Sequence, residues 1–187
     1  MYRSAAPEVG PFDEIPLDRD GAGQARSWRV ILDESQCWTR VEQARHGVLS
    51  TMHPERGVDP VPVVFAVLNG LIGVPVDTVK PKRSLNLGRL ANVARDPRCA
   101  LLVEHYSEDW SDLWWVRVHA RAAAPPSSAE PDPVWVQALA DRYPQYRQPG
   151  AVLAVMVLSP TKISGWAGEE DRGAPAPARA GGDPERR

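Results

Sequence analysis

Asn69-Gly70 stands between two apolar runs, Val61 to Leu68 and Leu71 to Val76. No short signal for a β-hairpin is stronger, because a two-residue turn of the favoured type needs positive φ at both central positions, and asparagine and glycine tolerate it best. The two runs are expected as neighbouring antiparallel strands, with Pro75 marking an edge or a bulge because it has no N–H to give a ladder. Val48 to Met52, Cys99 to Tyr106 and Ala151 to Leu158 are further apolar runs of strand length. Strands with so few polar alternations suit a small closed barrel better than an open sheet wet on one side.

From Trp114 to Ala122 the pattern changes to strict alternation. Trp114, Val116, Val118, Ala120 and Ala122 share one face, and Trp115, Arg117, His119 and Arg121 share the other, because successive side chains of a strand point to opposite sides. The first face is core. The second is either a solvated surface or an interface, and Trp115, too large and apolar to sit comfortably in water, favours an interface. Helices flank these strands. Asp33 and Gln36 form a capping box ahead of Cys37, Trp38, Val41 and Ala44, with Gly47 as the stop. Asp132 caps a second helix that starts at Pro133 and presents Trp135, Ala138 and Leu139. Ser159-Pro160 reads as a turn leading into Lys162 to Trp166. The sum is an α+β chain of about six strands with flanking helices.

The chain has 187 residues, 22 basic and 24 acidic side chains, a formal net charge of −2 and 43% hydrophobic content. One ordinary folded domain is expected. A charge so near balance argues against a general nucleic-acid binder, which needs a broad basic stripe. No apolar run approaches the ~20 residues of a bilayer-spanning helix. Met1 to Asp20 carries Glu8, Asp13, Glu14 and Asp18 without an apolar core, unlike a secretory signal. No membrane partner is expected, and the expected location is cytoplasmic. Residues 1–30 and 168–187 are rich in Pro, Gly, Ala and charge and are expected as disordered tails, leaving 31–167 as the folded body. Pro125 to Pro131 is an internal linker of similar composition.

Only three lysines occur, and two fall in Lys80-Pro81-Lys82-Arg83-Ser84. Leu87, Leu90, Ala91 and Ala94 follow at the spacing of one helical face, so Lys82, Arg83 and Ser84 sit at a helix start. Free backbone N–H groups and the positive end of the helix dipole favour an anion there. The alternative is a solvated basic cap; the pattern favours a phosphate or carboxylate site. Cys37 and Cys99 lie in apolar patterns and read as buried thiols. His46, His53, His105 and His119 show no paired spacing for zinc. His105 reads as a structural histidine first and a proton donor second. The Glu104, Glu108, Asp109 and Asp112 cluster reads as a solvated turn. Ser50, Ser107 and Ser111 lack the glycine setting of a nucleophile elbow.

The ordered set Val61-Pro62-Val63, Lys80 to Ser84, Asp96-Pro97-Arg98, His105 to Trp110, Leu113 to Arg117, Tyr143-Pro144-Gln145-Tyr146 and Ser164-Gly165-Trp166 resembles the split β-barrel flavin and deazaflavin oxidoreductases. Within them it is most similar to the actinobacterial F420-dependent branch of the pyridoxamine 5'-phosphate oxidase-like class. The resemblance implies a homodimer with cofactor sites between its subunits. Lys80, Lys82, Arg83 and Ser84 would hold the cofactor phosphate. Thr51, Pro62 and Val63 would line its ring, and Trp115 would cover the ring or the partner's surface. Coenzyme F420 is the cofactor implied first, with FMN as the alternative, and the substrate is a small organic acceptor. Arg56, Arg117 and Arg121 are candidates to meet the acidic tail of F420. A carrier that holds the ring without turnover remains a further alternative. The segment His53 to Pro60, with its additional proline, departs from the family's usual polar turn.

Overall fold

The computed structural model describes residues 30–78, 88–123 and 130–168. Among these residues the chain runs β1 (Val30–Leu32), α1 (Glu34–Gln43), β2 (Gly47–His53), β3 (Gly57–Val63), β4 (Ala66–Leu68), β5 (Leu71–Asp77), α2 (Gly88–Arg95), β6 (Arg98–His105), β7 (Trp114–Ala123), α3 (Pro133–Arg142) and β8 (Val152–Ala167). Short 3₁₀ turns occupy Trp110–Asp112 and Pro144–Arg147. The tails expected at 1–30 and 168–187 and the linker from Pro125 fall almost wholly outside the described residues.

One short connection dictates the closure. The strands pair antiparallel in the order β3-β2-β6-β7-β8-β5-β4, and β1 adds to β8. β3 and β4 lie at opposite ends of that order, yet only Val64 and Phe65 separate them in the chain. Three Cα steps reach at most about 11 Å, so the sheet must curl until its two ends meet. The product is the expected α+β split barrel, with eight strands among the described residues instead of about six. The run Val61 to Leu68, expected as one strand, is broken by that crossing. Its first part pairs with β2 and its last part with β5. Phe65 at the corner is fully buried, so an unbroken apolar sequence conceals the break.

The hairpin turn is as expected, with φ of 50° at Asn69 and 75° at Gly70. β5 is buried from Ile72 to Asp77 because it lies between two cores. Ile72 and Val74 join the barrel interior with Leu49, Leu101, Val116, Val118 and Met156. Its other side meets a second cluster built on Trp135, Leu139, Tyr143 and Tyr146 from α3 and the turn after it. Gly73 permits that contact, since a Cβ there would lie 2.4 Å from Trp135 Cε3.

Two prolines have visible reasons. Pro75 lies past the end of β4, where β5 keeps β8 on one side only. No turn occurs at Ser159-Pro160, which was expected to reverse the chain. β8 runs straight through, and its register against β7 slips so that His119 faces Lys162 while Ala120 faces Pro160. Thr161 is the extra residue, and its hydroxyl donates to the His119 carbonyl at 3.1 Å. A bulge accommodates proline and bends the strand. Bent there, β8 serves β5 along Val152–Leu158 and β1 along Gly165–Ala167.

The alternation of β7 holds: Val116, Val118, Ala120 and Ala122 are buried, and Arg117 and Arg121 are exposed. The Asp33–Gln36 capping box is present in both directions. α1 ends at Gln43 with Ala44 as its cap, and Gly47 opens β2 instead of stopping the helix.

Candidate functional site

Where β3 and β5 face each other, no ladder joins them among the described residues, and a cleft of about 180 Å³ opens along this seam. Val61, Pro62, Val63 and Val64 form one wall, Val74, Pro75 and Asp77 the other, with Arg89 and Tyr146 completing it. Arg89 reaches from the first turn of α2, and its Nη2 donates to the Pro75 carbonyl at 3.1 Å. The carbonyl and amide positions of a strand residue point to the same side, so the nitrogen of Pro75 also faces the seam. The missing N–H costs nothing there. Arg89 Nε is buried and has no hydrogen-bond partner. Burial pulls the Arg89 guanidinium below its ordinary pKa, with the charge of Asp77 opposing that shift.

Asp77 is 6% exposed and accepts a hydrogen bond from the Tyr146 hydroxyl at 3.1 Å. Burial, followed by the Asp77 charge, pushes the Tyr146 phenol above its ordinary range. It is therefore a donor at neutral pH and not a base. Tyr143 packs edge-on against Tyr146, and the carbonyls of Phe65 and Arg45, both 2.8 Å from its hydroxyl, share its one proton, which pins the β3–β4 corner.

The structure brings some of the sequence candidates together and separates others. Pro62 and Val63 line the cleft. Thr51 does not; it is 1% exposed, and its hydroxyl accepts from Asn92 Nδ2 at 2.9 Å. Asn92 Nδ2 also donates to Asp59 at 3.1 Å, so this buried amide ties α2 to the β2–β3 hairpin. Trp115 stands on the outer face of β7 between Glu104 and Trp166, with the Arg117 guanidinium 5.5 Å from its ring centroid. β7 lies two strand spacings from β5 and three from β3, about 10 and 14 Å, and Trp115 is not among the residues that line the cleft. Lys80, Lys82, Arg83 and Ser84 lie outside the described residues. Sequence reasoning missed Arg89, Asp77 and Tyr146. A lone acid closing an apolar strand at Asp77 was the available signal, because such a group must find a buried partner.

The outer face carries a second feature. Val58, Met52 and Leu102 are exposed at 61%, 38% and 37%, and Ile31 at 85% pairs beside Trp166. Cys37 and Cys99 are buried free thiols. Burial raises both, Cys99 to about 11, so neither is a thiolate at neutral pH. Among the described residues no group of three or more His, Cys, Asp or Glu could hold a metal ion, and no helix is long and apolar enough to cross a membrane.

No family model and no curated protein matches the sequence. Among solved structures, the chain is similar to a conserved hypothetical protein from Mycobacterium tuberculosis, 19% identical with a TM-score of 0.57, over 83% of this chain and 96% of that one. It is also similar to an FAD-binding protein from Mesorhizobium loti, 13% identical with a TM-score of 0.53, over 74% and 95%. A conserved protein of unknown function from Corynebacterium diphtheriae is 19% identical with a TM-score of 0.50, over 74% and 97%. At these identities the likeness is one of fold, the split β-barrel described above.

Proposed function

We propose that the protein is an oxidoreductase that works through a tricyclic isoalloxazine-type ring, with coenzyme F420 as the first candidate and FMN as the second. The observation that carries this reading is the seam cleft, apolar along Val61 to Val64 and Val74 but polar at Arg89, Asp77 and Tyr146. A flat ring with a hydrocarbon body and a carbonyl-bearing edge matches that division. When bound, a ring of this kind supplies hydride exchange with a small organic acceptor. The chain's own part is to bind, orient and exclude water. Pro62 and Val63 offer the apolar wall. Lys80, Lys82, Arg83 and Ser84, a few residues ahead of Arg89 in the sequence, are our candidates to grip the anionic tail.

A cleft of about 180 Å³ is small beside the roughly 300–1,000 Å³ of a complete small-molecule pocket. The described residues of one copy therefore offer part of a site. We assign the remainder to a second copy, with the outer face around Trp115, Leu102 and Met52 covered in the homodimer, since large apolar side chains left exposed together on one face mark interfaces. The sequence resemblance favours F420, and the likeness of fold to an FAD-binding protein favours a flavin.

Titrating the purified chain separately with FMN and with F420, while following quenching of cofactor fluorescence, tests the reading. Saturable quenching by one of them is expected. No saturation by either would remove the cofactor from the account. Hydride transfer from the reduced, bound ring to an acceptor separates an enzyme from a carrier, and sedimentation of the free chain reads the dimer.

A further inference from the structure

The outer face of the sheet carries opposite charges toward its two ends. Residues that share this face line up in rows across β6, β7 and β8: Glu104 beside Trp115 and Trp166, Leu102 beside Arg117 and Ser164, Ala100 beside His119 and Lys162. Arg98 stands opposite Arg121 in the row beyond. Between Cys99 and Val116 the sequence has no lysine or arginine. Glu104 is exposed there, and the loop joining β6 to β7 adds the exposed Glu108, Asp109 and Asp112. The same loop holds Tyr106 at 80% and Trp110 at 67% exposure. Toward the opposite end Arg117, Arg121 and Lys162 are exposed, and the acid that accompanies them, Asp96, is bonded to Arg98 at 2.6 Å. The stretch of β7 from Trp115 to Arg121 puts the two ends about 20 Å apart.

We infer that two copies of the chain meet through this face with their β7 strands antiparallel, so that the acidic, aromatic end of each lies on the basic end of the other. This rests on the homodimer in the reading above and fixes how its copies lie. A face that carries both signs is complementary to itself after a half-turn, which is the symmetry of an isologous dimer. Laid head to head, the copies would instead set like charges against each other. Like charges directly opposite, as Arg98 and Arg121 are, oppose strand pairing, and acids from a second copy offset that repulsion. Tyr106 and Trp110 meet arginines, whose cations favour aromatic faces. The loop is ordered for this in advance: Asp109 accepts from the Ser111 amide and hydroxyl at 3.0 and 2.7 Å, and the Gly168 N–H donates to the Leu113 carbonyl at 2.8 Å. A contact surface already held loses less freedom on docking.

Sedimentation equilibrium of the full chain tests the arrangement. Between about 0.05 M and about 0.5 M salt the dissociation constant of the wild-type dimer should rise several-fold, because exposed charges are screened. Reversing the basic end with Arg121→Glu and Lys162→Glu, or the acidic end with Glu104→Lys and Glu108→Lys, should weaken each homodimer about tenfold or more. Mixing those two variants should give a heterodimer tighter than either homodimer, and all four substitutions in one chain should return the affinity toward the wild type. A wild-type dimer indifferent to salt and to both reversals overturns the inference and leaves the dimer reading intact. Should a variant fail to melt cooperatively, the wild type decides by itself: a dissociation constant that is flat or falls with salt overturns the inference. A wild type that stays monomeric at low salt overturns the dimer and this inference with it, whereas cofactor titration still reads the ring site separately.

Discussion

β7 and β8 hold each other by backbone, whereas β3 and β5, each laddered on its other side, are linked across the seam by side chains. The first pair keeps register from Trp114 opposite Ala167 to Ala123 opposite Val157, interrupted once at the bulge. Any residue with the right face can serve such a ladder, because the hydrogen bonds belong to the main chain. At the seam the bonds run from Arg89 to Pro75, from Asn92 to Thr51 and Asp59, and from Tyr146 to Asp77. Each depends on one particular side chain. A ladder leaves no room between its strands, while a seam bridged by side chains leaves a cleft. The split thus costs cohesion and creates the place where a ligand can enter.

Removing barrel core should do the most damage. Leu101 of β6 is fully buried and pairs with Leu49 and Val118 on its two sides. Leu101→Ala is expected to cost about 2–5 kcal/mol in urea unfolding, the sum of lost transfer energy and a cavity. Pro62→Ala on the exposed lip of the seam should change stability by no more than about 0.5 kcal/mol. If the two substitutions cost the same, the cohesion of the molecule would not reside in the ladder half.

The same contrast explains what a reader of the sequence could see. The β7 alternation, the Asn69-Gly70 turn, the α1 capping box and the buried thiols are local or periodic, so they appear in the order of residues. The break at Val64-Phe65 was hidden because both cores want apolar residues and the corner is buried too. Ser159-Pro160 looked like a turn because its bulge exists only relative to β7, a strand far away in the chain. Pro62 and Val63 were legible as cleft residues through family resemblance. Arg89, Asp77 and Tyr146 were not, since their meeting depends on a barrel closing between segments distant in sequence. Thr51 was placed at the ring by family resemblance alone, and its buried contact with Asn92 joins segments 41 residues apart in the chain.

A second substitution tests whether the seam yields before the ladder. Asn92 is 2% exposed and bridges two acceptors. Asn92→Ala should cost about 1–3 kcal/mol, because a buried hydroxyl and a carboxylate oxygen each lose a donor. Native-state hydrogen exchange should then quicken in α2 and the β2–β3 hairpin while the amides shared by β7 and β8 stay protected. Uniform acceleration would mean that the two regions open as one unit.

The smallest effect belongs to Tyr146→Phe, and pH reveals it best. At neutral pH the loss of one hydrogen bond to Asp77 should cost about 1 kcal/mol, since that carboxylate has another interaction as well. Burial foremost, then the Asp77 charge, keeps the Tyr146 phenol protonated above its ordinary value of 10.0. In the unfolded chain the phenol ionises at that ordinary value. The contribution is therefore whole below pH 10.0, and it declines as pH rises beyond it, because the unfolded state releases its proton first. Phenylalanine has no proton to release, and the other tyrosines titrate alike in both proteins. Melting temperatures taken from about pH 8 to about pH 11 should thus start with the wild type ahead and draw together above pH 10. Curves that stay parallel through that range would mean that the phenol ionises as readily in the fold as out of it, and the Tyr146–Asp77 contact would not be closing the seam.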